Sequence, residues 1–407
     1  MKILVLNSGS SSIKFKFFDN KVVKASGLVE KIGEQNSKVV LKNTLNNESF
    51  ERELTINNHE EGLSIVNELF KESGILADLN ALDGCGHRIV HGGRNLSEHC
   101  LVDDYVLKEI DRVSIFAPLH NPAHLAGIKT MIKAAPSVAN AAIFDTAFHR
   151  TIPDFAYMYA LPYDFYDKHN IRRYGFHGTS HAYVSSRAAK FLQKDQNELN
   201  VISAHLGNGA SVCAIEKGKS MDTSMGFTPL EGLIMGTRCG DIDPAILPFI
   251  SHLKGLTIEE IDTLMNKKSG VYGICGYNDF RDIEREIEQG NDKARLALDM
   301  FCYRLVKYIG AYFAILPKTD AIIFTGGIGE NDSLVRQKVC ERLARLGIEL
   351  DFELNKQRIS GERMINHVNS KVKVLVIPTD EELEIARITE ELIGKIKFKN
   401  YINLSFI

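Results

Sequence analysis

A strand–turn–strand pattern that occurs twice, about 200 residues apart, constrains this chain more than any other feature in it. The first copy is LNSGSSSIKFKFFD, entered from the apolar run Ile3–Leu6, and the second is NVISAHLGNGASVCAIEKG, Asn200–Gly218. Aligning Ser12-Ile13 with Ser211-Val212 superposes an apolar run, a small-residue turn and a second apolar run. Self-similarity of this kind reads as an internal duplication, so the chain should fold as two halves on one plan. The first turn is long for its task. Asn7–Ser12 comprises six small or polar residues, four of them serine, whereas a plain hairpin needs only about two to five loop residues. Such a turn presents backbone N–H groups and hydroxyls, the donors that hold an oxyanion such as phosphate. Gly207–Gly209 and Gly326–Gly329 are further small-residue turns after strand-like runs. One such turn is ordinary. Three, two of them in duplicated positions, point to a nucleotide cleft. Neither G-x-x-x-x-G-K-[ST] nor a complete dinucleotide fingerprint is present, so the phosphates are expected on hairpin turns.

The rest of the chain supplies the remaining elements of an α/β fold. Strands are read at Lys2–Leu6, Ile13–Phe18, Val22–Leu28, Ser37–Leu41, Gly86–Val90 and Ala141–Phe144, with helices near Glu60–Glu72 and Asn121–Ala134. In the second half, helices are read at Pro244–Leu253, Ile258–Asn266 and Asp292–Ile315. AIIFTGGIGEN (Ala321–Asn331) and VKVLVIPTDEELEIAR (Val372–Arg387) each read as a buried strand leading into a helix. The boundary falls in the proline- and aromatic-rich stretch Asp145–Pro162. That gives an N-terminal domain of residues 1–150 and a second, nucleotide-binding domain of residues 151–380, with the closing helix, 381–407, returning to the first. Ligands favour the cleft between two such halves.

Composition narrows the function classes. With 44% hydrophobic and 25% charged residues the chain is ordinary globular protein, and a net charge of −3 gives no reason to expect nucleic acid or an anionic membrane as partner. No apolar run approaches the roughly 20 residues of a membrane span, and the N-terminus opens on a strand pattern rather than a leader. Seven cysteines are dispersed without C-x-x-C or metal-ligand spacing, which reads as reduced thiols in a cytoplasmic protein.

Several residues stand where chemistry is done. Arg88 ends a strand, and Arg238 sits in GTRCGD between Gly236 and Gly240; either could equally form a surface ion pair. His177 lies in GFHGTSH just before a helix expected from Thr179, where a histidine can also serve only the helix start. His91, His124, His149 and His181 read as structural, with His120 and His205 intermediate. Asp145 follows a buried strand, the place where an α/β sheet presents functional groups. Val90, Leu119, Phe176 and Pro229 are equally at home in a core. Glu381 opens DEEL, where the helix dipole favours an acid in any case.

The motifs LNSGSSSIKF, GHRIVHGG, FDTAFH, YGFHGTSH, HLGNGAS, MDTSMGFTPLEGLIMGTRCGDIDP, FTGGIGEN and PTDEEL, in this order, resemble the acetate kinase family from Lys2 to about Leu392. The resemblance implies two duplicated ribonuclease-H-like domains, the plan of actin-like ATPases, flanking a nucleotide cleft. It implies a homodimer and reversible, Mg²⁺-dependent, in-line phosphoryl transfer between ATP and acetate, giving acetyl phosphate and ADP, with Mn²⁺ able to substitute. By the same resemblance Arg88 binds the acetate carboxylate or phosphate, Arg238 stabilises transition-state charge, and His177 donates to the transferring phosphoryl group. Asp145 becomes the proton donor or acceptor. A carboxylic acid with an ordinary pKa near ~4–5 is already ionised at neutral pH, so Asp145 is expected instead to orient an arginine or a metal-bound water. Asn7 and Glu381 match the metal positions. ATP is placed on Ser10, Ser12 and Lys14, on His205, Leu206, Gly207, Asn208 and Gly209, on Asp279, Phe280 and Arg281, and on Gly327, Ile328, Gly329, Glu330 and Asn331. Val90, Leu119, Phe176 and Pro229 match the wall around the acetate methyl group, with Val90 bulky enough to favour acetate over propionate. Arg94 stands where the family usually has an acid, GICGYNDFRD is one residue shorter than usual, and the tail KNYINLSFI has no counterpart. Two rival readings use the same cleft: a kinase for propionate or butyrate, and an actin- or chaperone-like ATPase switch.

Overall fold

The computed structural model describes residues 1–404, with side chains through Lys395. The tail Lys399–Ile407 therefore has no described side chains, and Ser405–Ile407 lie outside the described residues. The chain forms two compact units: Met1–Ala147 together with the segment from Asp380 onward, and Phe148–Thr379.

The first unit contains eight strands: β1 (Lys2–Ser8), β2 (Ser12–Asp19), β3 (Val22–Glu30), β4 (Ser37–Asn43), β5 (Ser49–Leu54), β6 (Gly84–Ile89), β7 (Cys100–Leu101) and β8 (Ala139–Phe144). Their order across the sheet is β5-β4-β3-β2-β1-β6-β8-β7. β1, β6 and β8 run parallel and the remaining pairs are antiparallel. The second unit contains β9 (Asn200–Leu206), β10 (Ala210–Glu216), β11 (Lys219–Thr223), β12 (Ala321–Thr325), β13 (Arg363–Met364) and β14 (Lys373–Val376), ordered β11-β10-β9-β12-β14-β13. β9, β12 and β14 run parallel and their flanks are antiparallel. Six strands of the first sheet, β3-β2-β1-β6-β8-β7, thus repeat the second sheet in order and direction. The duplication read from two hairpins extends to the whole sheet, and this is the duplicated ribonuclease-H-like plan of actin-like ATPases.

Burial follows the sequence pattern. In β2, Ile13, Phe15 and Phe17 face the core while Lys14 is exposed, and the Phe15 and Phe17 rings each lie 5.7 Å from Phe70 on the helix His59–Glu72. β9 and β12 are buried along their whole length, as expected of central strands covered on both faces. The opposite face of the first sheet packs Ile3, Val5 and Ile143 against Ile385, Ala386 and Ile393 of the closing helix, Glu381–Leu404.

Several details differ from the sequence reading. The long serine turn is a loop of only three residues, Gly9–Ser11, because Asn7 pairs with Lys14 and Ser8 with Ile13 as strand residues. Ser8 is buried against the helix Asn121–Ala134, where a Cβ on Gly127 would come within 2.2 Å of Ser8 Oγ. Its smallness serves helix packing. The run Gly326–Asn331 is a short helix rather than a turn, and β5 went unread because its edge position leaves nearly every residue exposed. Among the described residues no helix is long and apolar enough to cross a membrane.

Candidate functional site

In each unit the predicted residues gather at the carboxyl ends of the parallel strands, where an α/β sheet exposes backbone and side chains to ligands. In the first unit Asn7 lies near the end of β1, Arg88 near the end of β6, and Asp145 directly after β8. Asp145 is 2% exposed, and Arg88 grips it with two prongs: Nε donates to Oδ1 at 3.0 Å and Nη2 to Oδ2 at 2.8 Å. Glu381 lies 3.7 Å from Arg88 Nη2. Burial works against the Arg88 charge, but Asp145 and Glu381 outweigh it and keep the guanidinium firmly protonated. Burial raises the Asp145 carboxyl above its ordinary value while Arg88 opposes the shift. Nε and Nη2 are committed to Asp145, and no contact of Nη1 is seen among the described residues. Arg88 and Asp145 thus form one ion pair with its carboxylate buried.

Val90 is buried beside this pair, its N–H reaching His124 Nδ1 at 3.4 Å, whereas Leu119 is exposed and His120 half-buried. Burial, with Arg88 nearby, lowers His124 to about 3, which keeps it neutral. Ser10 is exposed and Ser12 half-buried. Lys14 lines a cavity of about 420 Å³ with Asn7, Lys16, Lys42 and Glu382. Asn7 and Glu381 offer an amide oxygen and a half-buried carboxylate, the hard-oxygen donors that Mg²⁺ accepts when phosphates and waters supply its other ligands.

In the second unit the helix Gly178–Phe191 begins from His177, whose backbone is left-handed with φ 56°. That turn lays the His177 ring on His205, with centroids 4.3 Å apart and planes at 27°. Hydroxyls fix both rings: His177 Nδ1 is 2.9 Å from Ser211 Oγ, and His205 Nδ1 is 2.8 Å from Ser180 Oγ, which in turn is 2.8 Å from Thr379 Oγ1. His181 bridges Ser203 and Ser211, and burial keeps it well below the ordinary histidine range. Arg238 Nη1 and His177 Nε2 converge on Gly209, where a Cβ would lie 3.4 Å from one and 3.6 Å from the other. Arg238 donates to the Pro229 carbonyl at 3.1 Å; burial works against its charge, and no carboxylate within 4 Å is recorded for it among the described residues. A half-buried cation with no counter-ion among the described residues is an arrangement suited to a bound anion. Phe176 is fully buried behind His177, and Pro229 half-buried.

A cavity of about 570 Å³ opens beside these residues in the same unit. Gly207, Asn208, Asp279, Phe280, Arg281, Gly327, Ile328 and Asn331 line it, joined by Asn278, Glu284, Asp332 and Arg358, which the sequence reading did not single out. Asp279 caps the helix Phe280–Glu288 and is gripped by Arg281 at 3.0 and 2.6 Å, which pulls its carboxyl down to about 2. Phe280 turns inward, edge-on to Phe301 at 4.8 Å. Gly326, at φ +75°, lets β12 turn tightly over the Leu206 carbonyl, which a Cβ would meet at 2.7 Å. Glu330 and Gly329 do structural work here. Glu330 Oε1 accepts from the Gly326 and Thr379 N–H groups at 3.0 and 3.1 Å, and the Gly329 carbonyl accepts from buried Arg336. Leu206 is buried in the sheet. Glu284 is one helical turn beyond Phe280 and Asp332 follows Asn331, so adjacency to residues already chosen was the one signal that could have found them. Burial and the Asp332 carboxylate push Glu284 up to about 7.

Residues 2–387 match the acetokinase family. An acetate kinase from Campylobacter jejuni (strain RM1221) is 98% identical over 395 residues, covering 97% of this chain and 100% of that protein. One from Campylobacter lari is 70% identical over 393 residues, covering 97% and 99%. Among solved structures, an acetate kinase from Porphyromonas gingivalis superposes with a TM-score of 0.91 at 43% identity, covering 96% of this chain and 99% of that one. A propionate kinase from Francisella tularensis gives 0.90 at 42%, with the same coverage. The duplicated fold, the residues at its strand ends and these matches agree: the chain belongs to the acetokinase family.

Proposed function

We propose that this chain is an acetate kinase that moves the γ-phosphoryl group of ATP to acetate, reversibly and in line, giving acetyl phosphate and ADP. The observation that carries the reading is the pair of arginines. Arg88 is gripped by Asp145 through Nε and Nη2, and Arg238 is half-buried with no carboxylate against it among the described residues. Phosphoryl transfer to a carboxylate brings two anions together and needs cations on both. Arg88 takes the acetate carboxylate through a planar guanidinium, Arg238 the charge on the transferring oxygens, and His177 donates beside it. Asp145 moves no proton; it aims Arg88. The cavity beside Phe280 takes the nucleoside, and Ser10, Ser12 and Lys14 meet the phosphates. Asn7 and Glu381 would hold Mg²⁺, or Mn²⁺ in its place, and the ion would supply positive charge against the phosphates.

The similarity to a propionate kinase at 42% identity makes the acid itself the point to test. Purified protein with Mg²⁺-ATP and hydroxylamine is offered acetate, propionate or butyrate, and hydroxamate is scored. The expected order is acetate above propionate by about tenfold, since one methylene at the Val90 wall is worth ~1–3 kcal/mol. Preference for a longer acid would keep the chemistry and overturn the pocket. ATP hydrolysis with no hydroxamate would favour the ATPase-switch reading.

Nucleotide binding should carry a pH signature. Glu284, raised to about 7 by burial and Asp332, with Glu288 adding and Arg358 opposing, loses its proton as the pH passes neutrality. The ionised form is the disfavoured one in this cavity, so the KM for ATP should rise above pH 7 in the wild type. In Glu284→Gln that rise should shrink; identical profiles would refute the assignment.

We also read the protein as a cytoplasmic homodimer. Its free cysteines suit a reducing compartment. The helix Ile246–Lys254 exposes Ile246, Phe249 and Leu253 along one stripe, with Phe249 66% and Leu253 63% exposed, the kind of apolar face a second copy would cover.

A further inference from the structure

The long motif Met221–Pro244 contains far more than the two residues given roles above, and its least accounted-for feature is a polar cluster around Glu231. Arg173 donates through Nη2 to Glu231 Oε1 at 2.6 Å and through Nη1 to the carbonyls of Thr223, Ser224 and Met225 at 2.8, 3.2 and 3.1 Å. Tyr159 donates its hydroxyl to Glu231 Oε2 and accepts the Phe227 N–H at 2.8 Å. Gly226 makes room for both oxygens: a Cβ there would come within 1.7 Å of Glu231 Oε2 and 2.2 Å of the Tyr159 hydroxyl. The Gly226 carbonyl accepts the N–H groups of Tyr174 and Gly175 at 3.0 and 3.2 Å.

We infer that Tyr159, Arg173 and Glu231 form a clamp that positions Arg238 and His177 together for the transfer proposed above, on which this inference rests. The connections are short. Phe227 and Glu231, the two ends of one loop, are both tied to Tyr159, and Pro229 between them supplies the carbonyl that orients Arg238. Through Gly226 the same cluster fixes Tyr174–Gly175, two residues ahead of His177. Burial and the Glu231 carboxylate push the Tyr159 phenol well above its ordinary range, so it stays a donor at every working pH. None of the three touches the reacting atoms. They are positioning residues, and a displacement of about 1 Å at a catalytic group can cost on the order of a hundredfold in rate.

The test is Tyr159→Phe, which keeps the ring and removes one hydroxyl, alongside Glu231→Gln, which keeps an acceptor for that hydroxyl. Tyr159→Phe should lower kcat by about tenfold to a hundredfold while leaving the KM for ATP within about twofold. Glu231→Gln should retain more activity than Glu231→Ala. Hydrogen exchange at the Phe227 amide should rise in Tyr159→Phe, a readout independent of turnover. An active wild type whose Tyr159→Phe variant keeps both its kcat and its Phe227 protection overturns the clamp. A wild type that forms no acetyl phosphate from any acid overturns the proposed function and, with it, the catalytic consequence of the clamp. If Glu231→Ala does not fold, Tyr159→Phe decides alone.

Discussion

Replacing Arg238 with alanine should lower kcat by about a thousandfold or more, the scale of an arginine that meets transition-state charge in phosphoryl transfer, with little change in the KM for ATP. The same variant should be no less stable than the wild type. Burial works against the Arg238 charge, and its recorded partners are a carbonyl and the Met235 sulfur rather than a carboxylate. A cation held this way costs folding free energy, so its removal should leave the thermal midpoint unchanged or higher. Arg238→Lys should recover little, because an ammonium cannot hold the Pro229 carbonyl and a phosphoryl oxygen in one plane. A variant that loses activity and unfolds at lower temperature would show that Arg238 is instead a structural residue. One that keeps its kcat would remove it from the reaction.

Arg88 and Asp145 should separate differently. Arg88→Ala leaves a carboxylate that is 2% exposed without its partner, and breaking a buried pair from one side costs ~3–5 kcal/mol. Asp145 already has its carboxyl raised by burial against the opposition of Arg88. Without Arg88 the folded state would hold that proton more tightly than the unfolded chain does. Stability of Arg88→Ala should therefore rise as the pH falls toward the acid range and drop as it climbs to neutral. Adding Asp145→Asn should restore much of the loss. Asp145→Asn alone keeps the shape but loses the charged fork, and kcat/KM for acetate should fall about a hundredfold through misplacement of Arg88. Were Asp145 a true proton carrier, the wild-type rate would follow its titration and Asp145→Asn would flatten that profile. An unchanged profile with a lowered rate is the expected result. Full turnover in Asp145→Asn would exclude both roles.

The parts of this molecule that were legible in the sequence are those written in apolar periodicity. LNSGSSSIKFKFFD and its partner near residue 200 announced a duplication that six strands of each sheet carry out, direction included. β5 was invisible because an exposed edge strand needs no apolar face, and the two-residue strands β7 and β13 are too short to leave a pattern. The serine-rich turn was read as longer than it is, since small residues can also be strand residues where a helix packs closely, as Ser8 does beneath Gly127. At the site, Arg88, Asp145 and His177 stand at strand and helix ends and Arg238 in a glycine-bracketed loop, positions that sequence can locate. Glu284 and Asp332 carry no such mark of function. Glu284 looks like an ordinary helix acid and Asp332 like an ordinary helix cap, and only folding brings them to one cavity. Glu231 and Tyr159, 72 residues apart, share a hydrogen bond that no local pattern could encode.

The first measurement should be the stoichiometry of product formation: ADP and acetyl phosphate counted together, with and without acetate, in the presence of Mg²⁺-ATP. One acetyl phosphate for each ADP, and negligible ADP when acetate is withheld, is the expected result. ADP and inorganic phosphate released at the same rate whether or not acetate is present would mean that the arginines serve no second anionic reactant, and would contradict phosphoryl transfer to acetate.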